Sequence, residues 1–576
     1  MNGPFHGSAR EARKITLSYP HEILMRVQKP ARYTGGEFGS FYKDSYNTRF
    51  CLCFPDVYEI GMSWSGMDIL YSMLNEESGI YCERAFAPWT DMEAVLRERQ
   101  LPLTSLETGT PLADFDIIGF SLNHELVYTN VLNILDLAGL PLLAAERGDD
   151  CPIICAGGPS VCNPAPMADF IDFFFIGEAE AGFTDIMKKY QKGIKKDDFL
   201  RSICDIQGIY VPKFNNSVKK ACVADLNTAF LPKSFLVPNL VSTQDRAAVE
   251  IFRGCKRGCR FCQAGNIYKP VRERSIDTIE SYAKYCLEKT GYDEVTLLSL
   301  STADYSRFPE LAERMLSVGD NISLSLPSLR VDAFALNVMR RISGGRKSGL
   351  TFAPEAGSQR LRDIIGKNLT EDEIIEGCRL AYRGGWTRIK LYAMLGLPFE
   401  TDEDVVALAE LAEKVANAFF RLPKDERGHG LQINLSASCF VPKPHTPFQF
   451  VPQVTQDELR RKQQLVKRSI RSKQIKFSYH SADGSVLEGA LARGGTETGR
   501  AILAAFKRGA RFDSWSELFN YGIWQEAYEE AGLDLEAQAL KSFEYTDILP
   551  WDNIFAGADK TLLIREMEKA RELSQI

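Results

Sequence analysis

From about residue 50 onward, short apolar runs alternate with amphipathic stretches, the arrangement expected of parallel strands joined by helices. The first series supplies RFCLCF, IYCERAF, DIIGFSL, PIICAGG and FFFIG as strands, with SGMDILYSMLNEE and ELVYTNVLNILDLAG as helices. Five strands in this rhythm predict an α/β, flavodoxin-like doubly wound domain over residues 50–190, preceded by an N-terminal extension over 1–49. Loops at the C-terminal edge of such a sheet are its usual ligand site.

Residues 191–240 lose the rhythm; GIYVPKFNN and LPKSFLVPNL carry prolines and short extended runs, and the segment reads as a connector. A second series follows in AVEIFRGC, EVTLLSLS, SLSLPSLR, GLTFAPEAG, TRIKLYAML and QINLSASCF, separated by helical stretches such as IDTIESYAKYCLEKT. These six strands predict a partial (β/α)6 TIM-like barrel over 241–455, whose chemistry belongs at the C-terminal strand ends. Residues 456–576 read as a mostly helical region, opened by a basic run from Arg460 to Lys476. Trp515, Trp524 and Trp551 sit among apolar residues there and are expected to pack onto the barrel.

Composition narrows the class. A chain of 576 residues with 45% hydrophobic and 25% charged residues is an ordinary globular protein of several domains. Its net charge of -7 argues against a surface tuned wholly to nucleic acid. The N-terminus lacks the apolar core of a signal peptide and no stretch reaches membrane-spanning length, so a cytoplasmic protein with no membrane partner is expected. Most of the fourteen cysteines lie in apolar runs and read as small buried hydrophobes, Cys155 among Cys151, Cys155 and Cys162 included.

One group differs. The turn RGCKRGCRFCQAG sets Cys255, Cys259 and Cys262 in a CxxxCxxC spacing directly after the first barrel strand. Three thiolates converging from one loop suit iron, because soft anionic sulfur stabilises an iron–sulfur cluster while amides and arginines tune its charge. A closed structural zinc site takes four ligands, and no fourth cysteine or histidine lies nearby. The spacing, with Phe261 just before the last cysteine, resembles the signature of the radical S-adenosylmethionine superfamily. That resemblance implies a 4Fe-4S cluster whose open iron binds S-adenosylmethionine, generating a 5′-deoxyadenosyl radical, with an electron donor such as flavodoxin or ferredoxin.

Other strand ends are assigned through the same resemblance. After the second strand, SLSTADY places Ser299 and Ser301 where the superfamily has a glycine-rich segment bearing an acidic residue, a departure from the pattern. APEAGSQRLRD resembles an ExGS segment, putting Glu355 where a carboxylate meets ribose hydroxyls. Arg330, Lys390 and Gly396 in GLPFET complete the expected S-adenosylmethionine set with Phe261. Mutual ion pairing at a polar barrel mouth is the alternative for Glu355, Arg330 and Lys390.

The loops of the first sheet are similar to those of a cobalamin-binding domain. Ser121, Gly157, Gly158 and Gly177 match positions lining a corrin nucleotide tail, and DVYEIG retains Asp56 and Gly61 of a DxHxxG loop with Tyr58 in place of histidine. Cobalamin bound there is expected to lack a lower histidine ligand. A sheet kept only as a scaffold is the alternative. The segments GCRFCQAGNIYKPVRERS, GLTFAPEAGSQRLRD and FVPKPHTPFQF resemble, over nearly the full length, a bacterial family of radical proteins carrying a cobalamin-binding-like domain. The expected function is cobalamin-dependent methylation or a related modification of an unknown substrate. Alternatives are a cobalamin-independent RNA-modifying enzyme, with the basic run contacting phosphates, and a non-catalytic sensor. His445 near the last strand either faces substrate or sits in a rigid proline turn, and His124 is a loop residue.

Overall fold

The computed structural model describes residues 18–242, 246–318, 323–325 and 349–575. Its first sheet is built from β1 (Thr48–Phe54), β2 (Ile80–Phe86), β3 (Ile117–Ser121), β4 (Ile153–Gly157), β5 (Phe173–Phe175) and β6 (Ile209–Tyr210), in the order β2-β1-β3-β4-β5-β6. The first five strands are parallel, and β6 runs antiparallel to β5. Strands buried on both faces read as continuous apolar runs, which is why RFCLCF and FFFIG are recognisable in the sequence. Strand β2 departs from that rule with fully buried Glu83 and Arg84. Arg84 answers Glu37 at 2.8 Å and Glu107 at 2.7 Å, so the buried charge is paired rather than stranded. The order of connection reverses at β1 and β3, which opens a crevice at their C-terminal ends.

The stretch expected as a connector does more than connect. It contributes the helix Lys196–Ile203, strand β6 and strand β7 (Val218–Lys219). The second parallel system follows with β8 (Ala247–Glu250), after which β9 (Phe252–Arg253) pairs antiparallel with β10 (Arg272–Glu273) across the cysteine turn. Strands β11 (Glu294–Leu298) and β12 (Ser323–Ser325) extend β8 in the order β12-β11-β8. Then β13 (Leu350–Glu355), β14 (Arg388–Leu395), β15 (Gln432–Cys439) and β16 (Ile475–Tyr479) form a second parallel group. The link between β12 and β13 lies outside the described residues.

Strand β16 corrects the expectation of a helical run through Lys476. IKFSY follows the helix Gln456–Ser469 and buries Ile475 in the core beneath β14 and β15. Along β15 the side chains alternate, with Ile433, Leu435 and Ala437 buried under helices Glu371–Arg383 and Asp402–Phe420. The opposite, half-buried face carries Gln432, Asn434, Ser436 and Ser438, a polar face.

The C-terminal helices also pack differently from the expectation. Ala482–Ala492, Thr498–Lys507 and Tyr521–Glu530 share one core with β1, β3 and β4 of the first sheet. Trp524 is fully buried there, its indole N–H donating to Asp513 at 2.8 Å, while Trp551 alone joins the barrel side and donates to Gln449 at 2.9 Å. A final short strand, β17 (Ile554–Phe555), pairs parallel with β7. No helix among the described residues is long and apolar enough to cross a membrane.

Candidate functional site

The cysteine turn begins where β9 ends. Gly254 has φ +86°, and a Cβ there would meet the Tyr268 and Pro270 carbonyls at 2.9 and 3.0 Å, so only glycine lets the chain turn into Cys255. Cys262 caps the helix Gln263–Ile267, its Sγ accepting from the Gly265 amide at 3.3 Å. The Arg257 amide donates to Cys255 Sγ at 3.5 Å. Amides aimed at sulfur favour the thiolate over the thiol.

Two arginines inside the turn fix it to its surroundings. Buried Arg260 donates to the Ile364 carbonyl at 2.6 Å and to Glu566 of the last helix at 3.1 Å. Arg257 grips Asp304, just beyond β11. Burial, opposed by Lys367 and reinforced by Cys262 and Cys255, pushes the Cys259 thiol up to about 11. Burial likewise raises Cys262. No group of three or more His, Cys, Asp or Glu among the described residues closes around a single metal ion.

Glu355 ends β13 at a register shift against β14 with φ +65°, and its carboxylate takes Lys367 at 3.1 Å. Burial pushes the Glu355 carboxyl up against that lysine, and the group acts electrostatically on both Cys259 and Cys262. Ser301 donates to Asp304 at 2.7 Å, and Ser299 shares a hydrogen bond with Thr302 at 3.1 Å, so both serines shape the turn behind the cysteines. Phe261 is half-buried against the apolar cluster around Met394 and Leu397.

The other expected residues do not join this group. Lys390 is exposed on the polar face of β14, in register with Thr351 and Asn434. Glu355 is level with Ala393, three residues further on, which places Lys390 about 10 Å down the strand. Gly396 donates its amide to Glu400 at 2.8 Å and packs against Val454 and Leu459. Arg330 lies outside the described residues.

A cavity of about 560 Å3 opens between the C-terminal edge of the first sheet and the strands β8 and β11. Ser121, Asn123, Gly157, Gly158 and Gly177 line one side, and Arg253, Gly254, Tyr268 and Ser299 the other. The wall is braced: Arg253 pairs with Glu178 at 3.1 Å and Glu180 at 2.5 Å, and Arg272 with Glu178 at 2.6 Å. Both carboxamide atoms of Asn123 are buried without a hydrogen-bond partner.

Asp56, Tyr58 and Gly61 are absent from that lining because packing engages all three. Asp56 accepts the Trp515 indole N–H at 3.0 Å, and the Tyr58 hydroxyl accepts from the Asn239 amide at 3.0 Å. A Cβ on Gly61 would meet the Phe86 ring at 2.3 Å. The same loop instead presents Met62, Ser63 and the 42% exposed Trp64 to the cavity. Among the described lining residues there is no histidine. His445 lies elsewhere and is buried, its Nε2 at 2.9 Å from the Cys162 carbonyl, with burial lowering its basicity.

Sequence reasoning missed Asp304, Lys367, Arg257 and Asn123. Asp304 is visible as the acidic residue of SLSTADY, but no glycine pattern marks it. The basic helix Gln456–Ser469 spends much of its charge internally: Arg460 pairs with Asp483, Arg461 with Asp402, and Lys462 with buried Glu400.

Residues 249–412 match the radical SAM superfamily, and residues 66–212 match the N-terminal region of radical SAM proteins. The uncharacterized protein MJ0966 of Methanocaldococcus jannaschii is 30% identical over 452 residues, which cover 74% of this chain and 91% of that protein. An uncharacterized methyltransferase of Pyrococcus horikoshii, PH0819, is 24% identical over 52% of this chain and 65% of its own length. Among solved structures, the radical S-adenosylmethionine methyltransferase TsrM from Kitasatospora setae, with cobalamin and a [4Fe-4S] cluster bound, aligns at 13% identity and a TM-score of 0.48, covering 70% of this chain and 77% of that one. The chain belongs to the radical S-adenosylmethionine superfamily.

Proposed function

We propose that the protein is a cobalamin-dependent radical S-adenosylmethionine enzyme that methylates, or otherwise modifies, a substrate at the barrel mouth. In this reading residues 50–190 form a flavodoxin-like corrin domain, 241–455 a partial barrel, and 456–576 a region bracing both. The strand order β2-β1-β3-β4-β5 and the parallel strands β8, β11 and β13–β16 support that division.

The residues present fit both groups. Cys255, Cys259 and Cys262 supply three soft donors from one rigid turn, and two of their sulfurs already accept backbone amides. For the corrin, unpaired Asn123 offers both a donor and an acceptor to a cavity whose rim carries Ser121, Gly157 and Gly158. When bound, a cluster supplies one electron for reductive cleavage of a sulfonium, and a corrin supplies a methyl carrier.

The chain's own work is positioning and exclusion. Cys259 and Cys262, raised by burial, would give up their thiol protons on taking a metal. Glu355, held by Lys367 beside those cysteines, is placed to accept ribose hydroxyls. Arg257 and Arg260 keep the turn in register with β11 and the last helix. Met62, Ser63 and Trp64 line the cavity from the loop in which a histidine is missing, so a corrin held there would receive no histidine from this wall.

The observation that carries this reading is the cavity itself, which runs from Gly157 and Gly158 to Gly254, one residue before the first cysteine. Anaerobic purification with iron, sulfide and corrin quantification tests it. The expected result is one cluster and one corrin per chain. A cluster-loaded protein that retains no corrin removes the methylation half.

A further inference from the structure

A second opening reaches the cysteine turn from outside. A recess of about 1000 Å3 is walled by Cys255, Lys256, Lys219, Lys220, Lys269 and Arg272. We infer that this recess is the docking site for a small acidic electron-carrier protein, which passes its electron inward at Cys255. The inference rests on the reading of the three cysteines as cluster ligands.

The charge pattern is local and one-sided. The chain as a whole carries a net charge of -7, yet five cations and no carboxylate line the recess among its described residues. Two of these cations are already matched by acids outside the lining, Arg272 by Glu178 at 2.6 Å and Lys256 by Glu273 at 3.1 Å, so the charge a partner meets is carried by Lys219 and Lys269. Lys219 is exposed on β7 and makes no ion pair among the described contacts. Lys220 points inward and donates to the carbonyls of Ile267 and Lys269, tying this wall to the helix that follows Cys262. Phe555 of β17, 57% exposed, stands in the lining as an aromatic anchor inside a charged rim.

The recess also lies apart from the reaction side. The 560 Å3 cavity ends at Gly254 on the side of the first sheet. Cys255 alone of the three lines the recess. Electron transfer weakens steeply with distance, so a carrier must approach a ligand sulfur closely without displacing substrate, and this face permits it. In that step a reduced carrier would lose one electron and the cluster held by Cys255, Cys259 and Cys262 would gain it; no bond forms and no proton moves.

The test uses the full reconstituted chain and oxidised flavodoxin as the probe, with a ferredoxin as a second probe, titrated by calorimetry at low and raised salt. Binding to the wild type should weaken as salt rises, and Lys219→Glu with Lys269→Glu should weaken it about ten-fold or more. Lys219→Gln with Lys269→Gln should give a smaller loss in the same direction, and the melting temperatures of all variants should match the wild type. Cleavage of S-adenosylmethionine driven by dithionite should be unchanged, while cleavage driven by reduced flavodoxin slows. Absence of carrier binding to the wild type, or equal binding by the charge-reversed variant, overturns the docking site. Loss of dithionite-driven cleavage in the wild type instead overturns the cluster reading on which it rests.

Discussion

Arg257, two residues beyond Cys255, holds Asp304 just past β11, its Nε donating to one carboxylate oxygen at 2.6 Å and its Nη2 to the other. This fork couples the cysteine turn to the segment that follows β11, and Ser301 reinforces it by donating to the same carboxylate. Bidentate arginine–carboxylate pairs fix geometry as well as energy. Arg257 is one-third exposed, so solvent screening limits the pair's contribution to global stability to roughly 1 kcal/mol. Asp304→Asn should therefore leave the melting temperature nearly unchanged while speeding amide exchange across residues 255–262 and lowering iron retained after anaerobic reconstitution. Wild-type exchange in that segment would show that the fork does not govern the turn.

Asn123 carries a buried carboxamide with neither atom paired, a cost the free protein bears. Asn123→Leu should leave stability unchanged or raise it by about 1 kcal/mol in urea titrations of the corrin-free protein. The same variant should bind hydroxocobalamin about ten-fold more weakly, read from quenching of intrinsic fluorescence. Equal affinity would remove Asn123 from the corrin site.

Asp68 lines the same cavity and is pushed up by burial from 3.8 to about 7. A raised carboxyl means the native state binds more protons than the unfolded chain between those two values. Stability contributed by this group is thus greatest at low pH, falls as pH rises through that window, and flattens above about 7. Asp68→Asn keeps an acceptor for the Leu236 amide while abolishing the titration. It should be more stable than the wild type at pH 8 by up to a few kcal/mol, because each pH step of one across the window costs the wild type roughly 1.4 kcal/mol, and no more stable near pH 4. Denaturant titrations across this range read the difference, and parallel curves for the two proteins would contradict it.

The parts of this fold legible in the sequence are those determined locally. Four of the first five strands of the first sheet announce themselves by apolar runs, β2 carrying buried Glu83 and Arg84 within its run, and the cysteine turn because its spacing is chemically restrictive. Strand β16 is hidden by the basic residues flanking IKFSY, which extend the helical pattern of the preceding helix. The tail's packing partner is beyond any local pattern: Trp515 reaches Asp56 across 459 positions. That contact also explains why the DVYEIG loop misleads. Asp56, Tyr58 and Gly61 sit where a ligand motif places them, yet the tail, the Asn239 segment and Phe86 engage them, and Trp64 further along the loop faces the cavity instead.

The central claim is that three thiols in this turn hold a cluster able to cleave S-adenosylmethionine. The most direct measurement is 5′-deoxyadenosine formation by the anaerobically reconstituted chain with dithionite, beside Cys259→Ala prepared in the same way. Product from the wild type and none above background from the variant is the predicted outcome. A wild-type chain loaded with iron and sulfide that yields no 5′-deoxyadenosine, or a variant that yields as much as the wild type, contradicts the account.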